Sequence, residues 1–71
     1  MTTRAEHLAW CKTRALEYVE SGDLKGAQAS MASDLTKHPE TWCSRHQARK
    51  GIEAVLSGKR EAVRQWIESF T

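Results

Sequence analysis

Two pairs of side chains have the chemistry and the spacing of metal ligands. His7 and Cys11 are four residues apart, and Cys43 and His46 are three residues apart, so each pair can share one side of its own helix. Such a Cys2His2 set could bind zinc, and a structural zinc would stabilise a small domain. The orientation argues against this site, because Cys43 points away from the apolar stripe of its helix, whereas Cys11 lies close to its own. The favoured interpretation is a small buried Cys11, a surface Cys43, and no metal or other cofactor.

A cysteine next to histidines can also be a nucleophile with a base. Cys43 has His38 and His46 near it in the sequence, but one such group is weak support for catalysis. The run "GDLKG" lacks the context of a phosphate-binding loop. Four short helices leave little room for a ligand cleft of about 300–1,000 Å³. The sequence therefore predicts a protein without enzymatic activity.

The tryptophans are the sharpest indication of a binding surface, since three are many for a chain of 71 residues. Trp66 fits the apolar stripe of the last helix. Trp10 lies nearly opposite Leu8 on the first helix, and Trp42 lies at the edge of the stripe of the third. Tryptophan is a frequent anchor of protein interfaces. We expect Trp10 to contact a partner; the alternative is that it stacks on Arg14.

The second half of the chain is basic. Residues 37–71 hold seven Lys or Arg against four Glu, while the whole chain has a net charge of +2. The side chains assigned to a surface for a protein partner are Trp10, Arg14, Trp42, Arg45, Arg49 and Lys50. The alternative is a nucleic-acid-binding surface formed by Arg45, Arg49, Lys50, Lys59, Arg60 and Arg64. Glu53 and Glu61 interrupt that surface, so the protein partner is favoured.

Hydrophobic periodicity predicts the elements that carry these residues. Four helices are expected over Arg4 to Glu20, Leu24 to Lys37, Glu40 to Leu56 and Lys59 to Phe70. No segment alternates like a strand, and no apolar run approaches the ~20 residues of a membrane span. Short connections make successive helices antiparallel. We therefore predict a single all-α domain of two hairpins, ~3–38 and ~40–71, as a tetratricopeptide-like stack or a small helical bundle.

Local signals mark several helix ends. Thr3 and Glu6 fit a capping box, Gly22 suits a left-handed C-terminal position, and Asp23 can cap the second helix. Pro39 is expected to stop that helix.

Each helix also has a predicted buried face. These faces are Ala5, Leu8, Cys11, Ala15 and Val19; Leu24, Ala27, Met31 and Leu35; Ala48, Ile52, Val55 and Leu56; and Ala62, Val63, Trp66, Ile67 and Phe70. So small a core is marginal, and self-association as a homodimer is a further expectation.

From Ala15 to Pro39 the chain resembles the tetratricopeptide motif. The matching positions are Ala15 and Ala27 (small residues), Tyr18, Gly22-Asp23-Leu24 (turn), Met31 (aromatic position) and Pro39 (terminator). Asp34 departs from the motif, which has Ala there, and Cys11 and Arg14 depart upstream. The resemblance implies a hairpin with Tyr18 and Ala27 at its contacts. The alternative is an ordinary four-helix domain with a Gly-Asp turn.

The opening run, "MTTRAEHLAWCKTRALEYVESGDLKGAQASMASDLTKHPET", is similar to a group of short uncharacterised proteins of tailed bacteriophages. The likeness covers about 41 residues and carries over no functional residue. It implies a small protein of the bacterial cytoplasm that binds a host protein or complex, for example as an inhibitor of a defence system such as CRISPR. The N-terminus lacks the apolar region of a signal peptide, which fits the cytoplasmic expectation.

Overall fold

The computed structural model describes residues 3–38 and 41–71. Within these ranges the chain forms four α-helices and no strand: α1 (Arg4–Glu20), α2 (Leu24–Leu35), α3 (Arg45–Leu56) and α4 (Arg60–Glu68). Helix α1 packs along α2, and α3 packs on α4, as two antiparallel hairpins. Helix α4 also contacts α1 and α2, which joins the hairpins. The predicted all-α architecture of two hairpins is confirmed.

The first hairpin begins and turns where its capping residues predict. The Thr3 hydroxyl accepts a hydrogen bond from the Glu6 amide at 3.1 Å, and the Glu6 carboxylate accepts one from the Thr3 amide at 3.3 Å. Gly22 has a φ of 85°, a conformation that other residues rarely adopt. The Asp23 carboxylate then accepts from the Gly26 amide at 2.9 Å and caps α2.

Gly26 has no room for a side chain, either toward the cap of α2 or toward α1. A Cβ at this position would overlap the capping carboxylate of Asp23 and would lie 2.9 Å from Cδ1 of Tyr18 on α1. Tyr18 therefore contacts the second helix as predicted, although it is 38% exposed. Ala27, the other predicted contact position, is fully buried.

The end of α2 differs slightly from the prediction. The helix ends at Leu35 rather than Lys37. The buried Thr41 hydroxyl donates a hydrogen bond to the Leu35 carbonyl at 2.8 Å, which satisfies a terminal acceptor of the helix. Pro39, the predicted stop, lies outside the described residues.

Helix α3 begins later than predicted. Its first residue is Arg45, because Ser44 and Gln47 form a second capping box with hydrogen bonds of 3.0 and 3.1 Å. The predicted start at Glu40 was too early, and Glu40 itself lies outside the described residues. Helix α4 is also shorter than predicted, running from Arg60 to Glu68.

The core lies between α1, α2 and α4. Its buried apolar side chains are Leu8, Cys11, Ala15, Val19, Ala27, Met31, Leu35, Val63, Trp66, Ile67 and Phe70. The predicted faces of these helices are therefore largely correct. Ala5 is an error, because it is exposed. His7, two residues further along α1, is buried instead. Its Nε2 lies at a hydrogen-bond distance of 2.8 Å from the Asp34 carbonyl oxygen.

The predicted buried face of α3 is wrong at Ile52 and Leu56, whereas Ala48 is partly buried and Val55 packs partly buried against the core. Ile52 is 50% exposed and Leu56 is 80% exposed, and the buried residue of this helix is Gly51. A Cβ at Gly51 would lie 2.5 Å from Cζ2 of Trp66. The indole Nε1 of Trp66 also donates a hydrogen bond to the Gln47 carbonyl at 2.8 Å. Helix α3 thus turns its smallest residue to the core, because the indole of Trp66 occupies the space that a side chain would need.

None of the helices that the structure describes is both long and apolar enough to cross a membrane.

Candidate functional site

Trp10 stands at the centre of a polar and aromatic group on the first hairpin. The Arg14 guanidinium lies 4.9 Å from the centroid of its ring, and the Lys37 ammonium lies 5.7 Å from it. The His7 ring packs beside it, with centroids 5.5 Å apart. Trp10 nevertheless stays 42% exposed. The predicted stacking on Arg14 is therefore present, and it leaves a large part of the indole facing solvent.

Asp34 holds the two cations in place. Its carboxylate is almost fully buried, and it accepts from Arg14 Nε at 2.8 Å and pairs with Lys37 Nζ at 3.2 Å. The Ser30 hydroxyl donates to it at 3.4 Å. Burial by itself would raise the pKa of Asp34, but hydrogen bonds and positive charge from Lys37 and Arg14 outweigh it and hold the pKa below its ordinary value. The carboxylate therefore stays ionised at neutral pH.

Two histidines extend the group along α1 and the end of α2. The His7 ring stacks on the His38 ring, with centroids 5.2 Å apart and planes inclined by 30°. With the contact between His7 and the Asp34 carbonyl, this stack joins the first turns of α1 to the last turn of α2. We call the six residues His7, Trp10, Arg14, Asp34, Lys37 and His38 the Trp10 cluster. The cluster is thus built entirely on the first hairpin.

Sequence reasoning found two members of the Trp10 cluster as interface residues, Trp10 and Arg14. It missed Asp34 and Lys37. Two signals were present: Asp34 lies on the apolar stripe of α2, seven residues after Ala27, and it stands where the tetratricopeptide motif has Ala. A buried acid requires a cationic partner, and Lys37 follows it by three residues.

Comparison of the chain with protein-family models, curated proteins and solved structures finds no match. The resemblances to small phage proteins and to the tetratricopeptide motif therefore stay predictions.

The other residues assigned to a partner surface lie outside the Trp10 cluster. Arg45, Arg49 and Lys50 are exposed on α3. Trp42 is 70% exposed and precedes α3, so its predicted place at the edge of that helix's apolar stripe was wrong. The structure therefore brings Trp10 and Arg14 together and leaves the α3 cations as a separate surface.

The structure does not bring together the four residues that were considered as zinc ligands, His7, Cys11, Cys43 and His46. Across residues 3–38 and 41–71, no group of three or more His, Cys, Asp or Glu side chains could hold a metal ion. Cys11 is fully buried in the core and His46 is exposed. Cys43 is half-buried against the core rather than on the surface as predicted, because it lies before α3 and not on its outer face. Cys11 matches its prediction as a small buried residue.

The basic surface of the second hairpin is partly neutralised by ion pairs. Arg64 lies 3.4 Å from a carboxylate oxygen of Glu20 and 3.8 Å from one of Glu61. These pairs are exposed and weak, but they reduce the positive charge available to phosphates. On α3, Arg49 and Lys50 line a shallow pocket together with His46 and Glu53, and the Glu53 carboxylate interrupts the basic surface there.

Both cysteines should be slow to react at neutral pH. Burial raises the pKa of the Cys11 thiol, with a further increase from the charge of Asp34, and burial also raises the pKa of Cys43. Because the thiolate is the reactive form, iodoacetamide should modify half-buried Cys43 more slowly than free cysteine, and Cys11 only after unfolding. Mass spectrometry of the alkylated native protein measures both rates, and denatured protein is the control. Equal rates for Cys11 in native and denatured protein would contradict this.

Proposed function

We propose that the chain is a non-enzymatic protein-binding module whose contact surface is the Trp10 cluster. The supporting observation is that Trp10 is 42% exposed while Arg14 and Lys37 hold its ring. Tryptophan and arginine are the residues that most often dominate interface energies. A side chain already held in one position loses less conformational entropy when a partner covers it. This arrangement supports an anchor for a partner better than a reactive site.

Two observations support binding over the alternatives. The raised pKa of Cys43 keeps its thiol protonated, which is the opposite of what an activated nucleophile needs. The pairing of Arg64 with Glu20 and Glu61 reduces the charge that a nucleic-acid surface would use. A protein partner accounts for the exposed indole, which is not part of the basic surface considered for nucleic acid.

The proposed partner is a protein or complex of a bacterial host, bound in the cytoplasm. The motivation is the similarity of the first 41 or so residues to small proteins of tailed phages. A chain of this size would act stoichiometrically, by masking or bridging a surface of the partner. A defence complex such as a CRISPR system is one partner of this kind, which would make the chain an inhibitor.

Replacing Trp10 by alanine should weaken partner binding at least tenfold, because it removes the exposed anchor. Affinity purification from a bacterial lysate identifies the partner, and calorimetry with that purified partner measures the dissociation constants. Trp10→Phe should lose less affinity for the partner than Trp10→Ala, because phenylalanine keeps an aromatic face for Arg14 and Lys37.

Lys12→Ala is the matched control, since it removes a side chain of α1 that is not part of the Trp10 cluster. It should bind like the unsubstituted chain. Unchanged affinity of a folded Trp10→Ala variant would disprove the role of this surface.

A further inference from the structure

A second exposed surface lies between α2 and α3, away from the Trp10 cluster. Arg45, Arg49, Ile52 and Leu56 follow one another at intervals of four, three and four residues, which puts them on one side of α3. All four are exposed. The side is basic in the first half of the helix and aliphatic in the second.

Helix α2 completes this surface as a groove. An open groove of about 450 Å³ is lined by Ile52, Val55 and Leu56 of α3 and by Lys25 and Gln28 of α2. Its floor is apolar, and Lys25 adds a cation at its border. Among the described residues, no ion pair involves Lys25, Arg45 or Arg49. The groove therefore combines exposed aliphatic side chains with Lys25 at its border, and the exposed Arg45 and Arg49 lie on the same side of α3 as Ile52 and Leu56.

We infer that this groove binds an amphipathic helix of a partner protein, with aliphatic anchors over Ile52 and Leu56 and acidic residues opposite Arg45, Arg49 and Lys25. The inference rests on the proposed function, since it supplies the module with a second contact. A helix is the occupant because the described part of the chain has no sheet edge that could pair with a strand. Aliphatic side chains in a groove between two helices suit an apolar helical face.

Charge decides between an acidic partner and a second copy of this chain. The exposed side of α3 holds Arg45 and Arg49, and the groove border holds Lys25, so two copies in this groove would oppose like charges. The whole chain is also basic, with a net charge of +2. Nucleic acid is disfavoured because Ile52 and Leu56 would face phosphates. An acidic amphipathic helix can cover Ile52 and Leu56 with its apolar face and place carboxylates opposite the cations.

Two synthetic helical peptides of about 16 residues, or about four turns, test this inference. They share the same leucine positions on one face and carry either glutamate or lysine at the flanking positions. The labelled glutamate peptide should bind at least tenfold more tightly than the lysine peptide, by fluorescence anisotropy. Amide shifts in NMR spectra of the protein should map to Lys25, Arg49, Ile52 and Leu56.

The double variant Ile52→Ser, Leu56→Ser should bind the glutamate peptide at least tenfold more weakly. Both side chains are exposed, so the variant should fold. Ala5→Ser, an apolar-to-serine change at an exposed position of α1, is the matched control and should bind normally. Equal binding of the two peptides, binding of neither, or unchanged binding by the double variant would overturn the inference.

Light scattering and a DNA titration cover the other occupants. A dimer that dissociates in the double variant would assign the groove to a second copy of the chain. Salt-sensitive binding of duplex DNA that is lost in Arg45→Ala, Arg49→Ala would assign it to nucleic acid. Either result overturns the inference.

Failure of this inference is distinguishable from failure of the proposed function, because the Trp10→Ala test uses another surface. The glutamate peptide could bind and lose affinity in the double variant, while Trp10→Ala leaves the affinity for the purified partner unchanged. That result would contradict only the assignment of the Trp10 cluster.

Discussion

Gly51→Val should destabilise the fold by about 2–3 kcal/mol. The valine Cβ would lie 2.5 Å from Cζ2 of Trp66 and 2.7 Å from Cε2, and the flat ring cannot move aside within a packed core. Either α3 moves away from α4 or the indole leaves its place, and both break its hydrogen bond to the Gln47 carbonyl. Because folded proteins have only about 5–15 kcal/mol of stability and a chain this small lies at the low end, a large part of the total would be lost.

Chemical denaturation followed by circular dichroism measures this loss. Lys50→Val is the matched control, since it introduces the same side chain at the neighbouring exposed position of α3. It should change the free energy of unfolding by no more than about 0.5 kcal/mol. Gly51→Ala should fall between them, because alanine favours a helix by about 1 kcal/mol over glycine and offsets part of the clash. Equal stability of Gly51→Val and Lys50→Val would refute the close fit of the indole.

Asp34→Ala should cost about 2–3 kcal/mol at neutral pH. The substitution removes the buried acceptor of Arg14 and Lys37 and leaves a polar gap next to the Ser30 hydroxyl. The loss should stay below that of a fully buried ion pair, since the Arg14 and Lys37 side chains are 45% and 56% exposed and can return to water. Glu17→Ala, which removes an exposed carboxylate of α1, is the control and should be nearly neutral.

The contribution of Asp34 should depend on pH. Its pKa is lower in the folded chain than its ordinary value of 3.8, so the folded state favours the ionised form. The stabilisation is fully present well above that ordinary value and is lost as the pH falls through it toward the folded pKa. The difference in unfolding free energy between the unsubstituted chain and Asp34→Asn should therefore shrink below about pH 5. A difference that stays constant down to pH 2 would show that the carboxylate charge is not responsible.

Local signals made the first hairpin predictable. The capping box of Thr3 and Glu6, the left-handed Gly22 and the cap at Asp23 each act within a few residues, so their sequence patterns are sufficient. The exposed position of Trp10 followed from the helical wheel alone. All-α architecture followed for the same reason, since periodicity and short connections are properties of neighbouring residues.

Features that depend on distant residues could not be predicted in the same way. Hydrophobicity favoured Ile52 and Leu56 for the core, but the shape of Trp66 selected Gly51. A glycine inside a helix costs stability, so its presence in the sequence indicates that close packing requires it. The sequence does not show which side chain packs against it. The ionised Asp34 in the core likewise depends on Arg14, which is distant in the sequence and on another helix.

The shallow attachment of α3 also affects how the molecule moves. Of its 12 residues only Gly51 is buried, so detaching this helix should require less free energy than unfolding the hairpin of α1 and α2. Such an opening would uncover Trp66 while the Trp10 cluster remains intact. A helix bound over Ile52 and Leu56 would span α2 and α3 and hold them together. Occupancy of the groove would thus act as a clamp, slowing the excursions of α3 and protecting its amides from exchange with solvent.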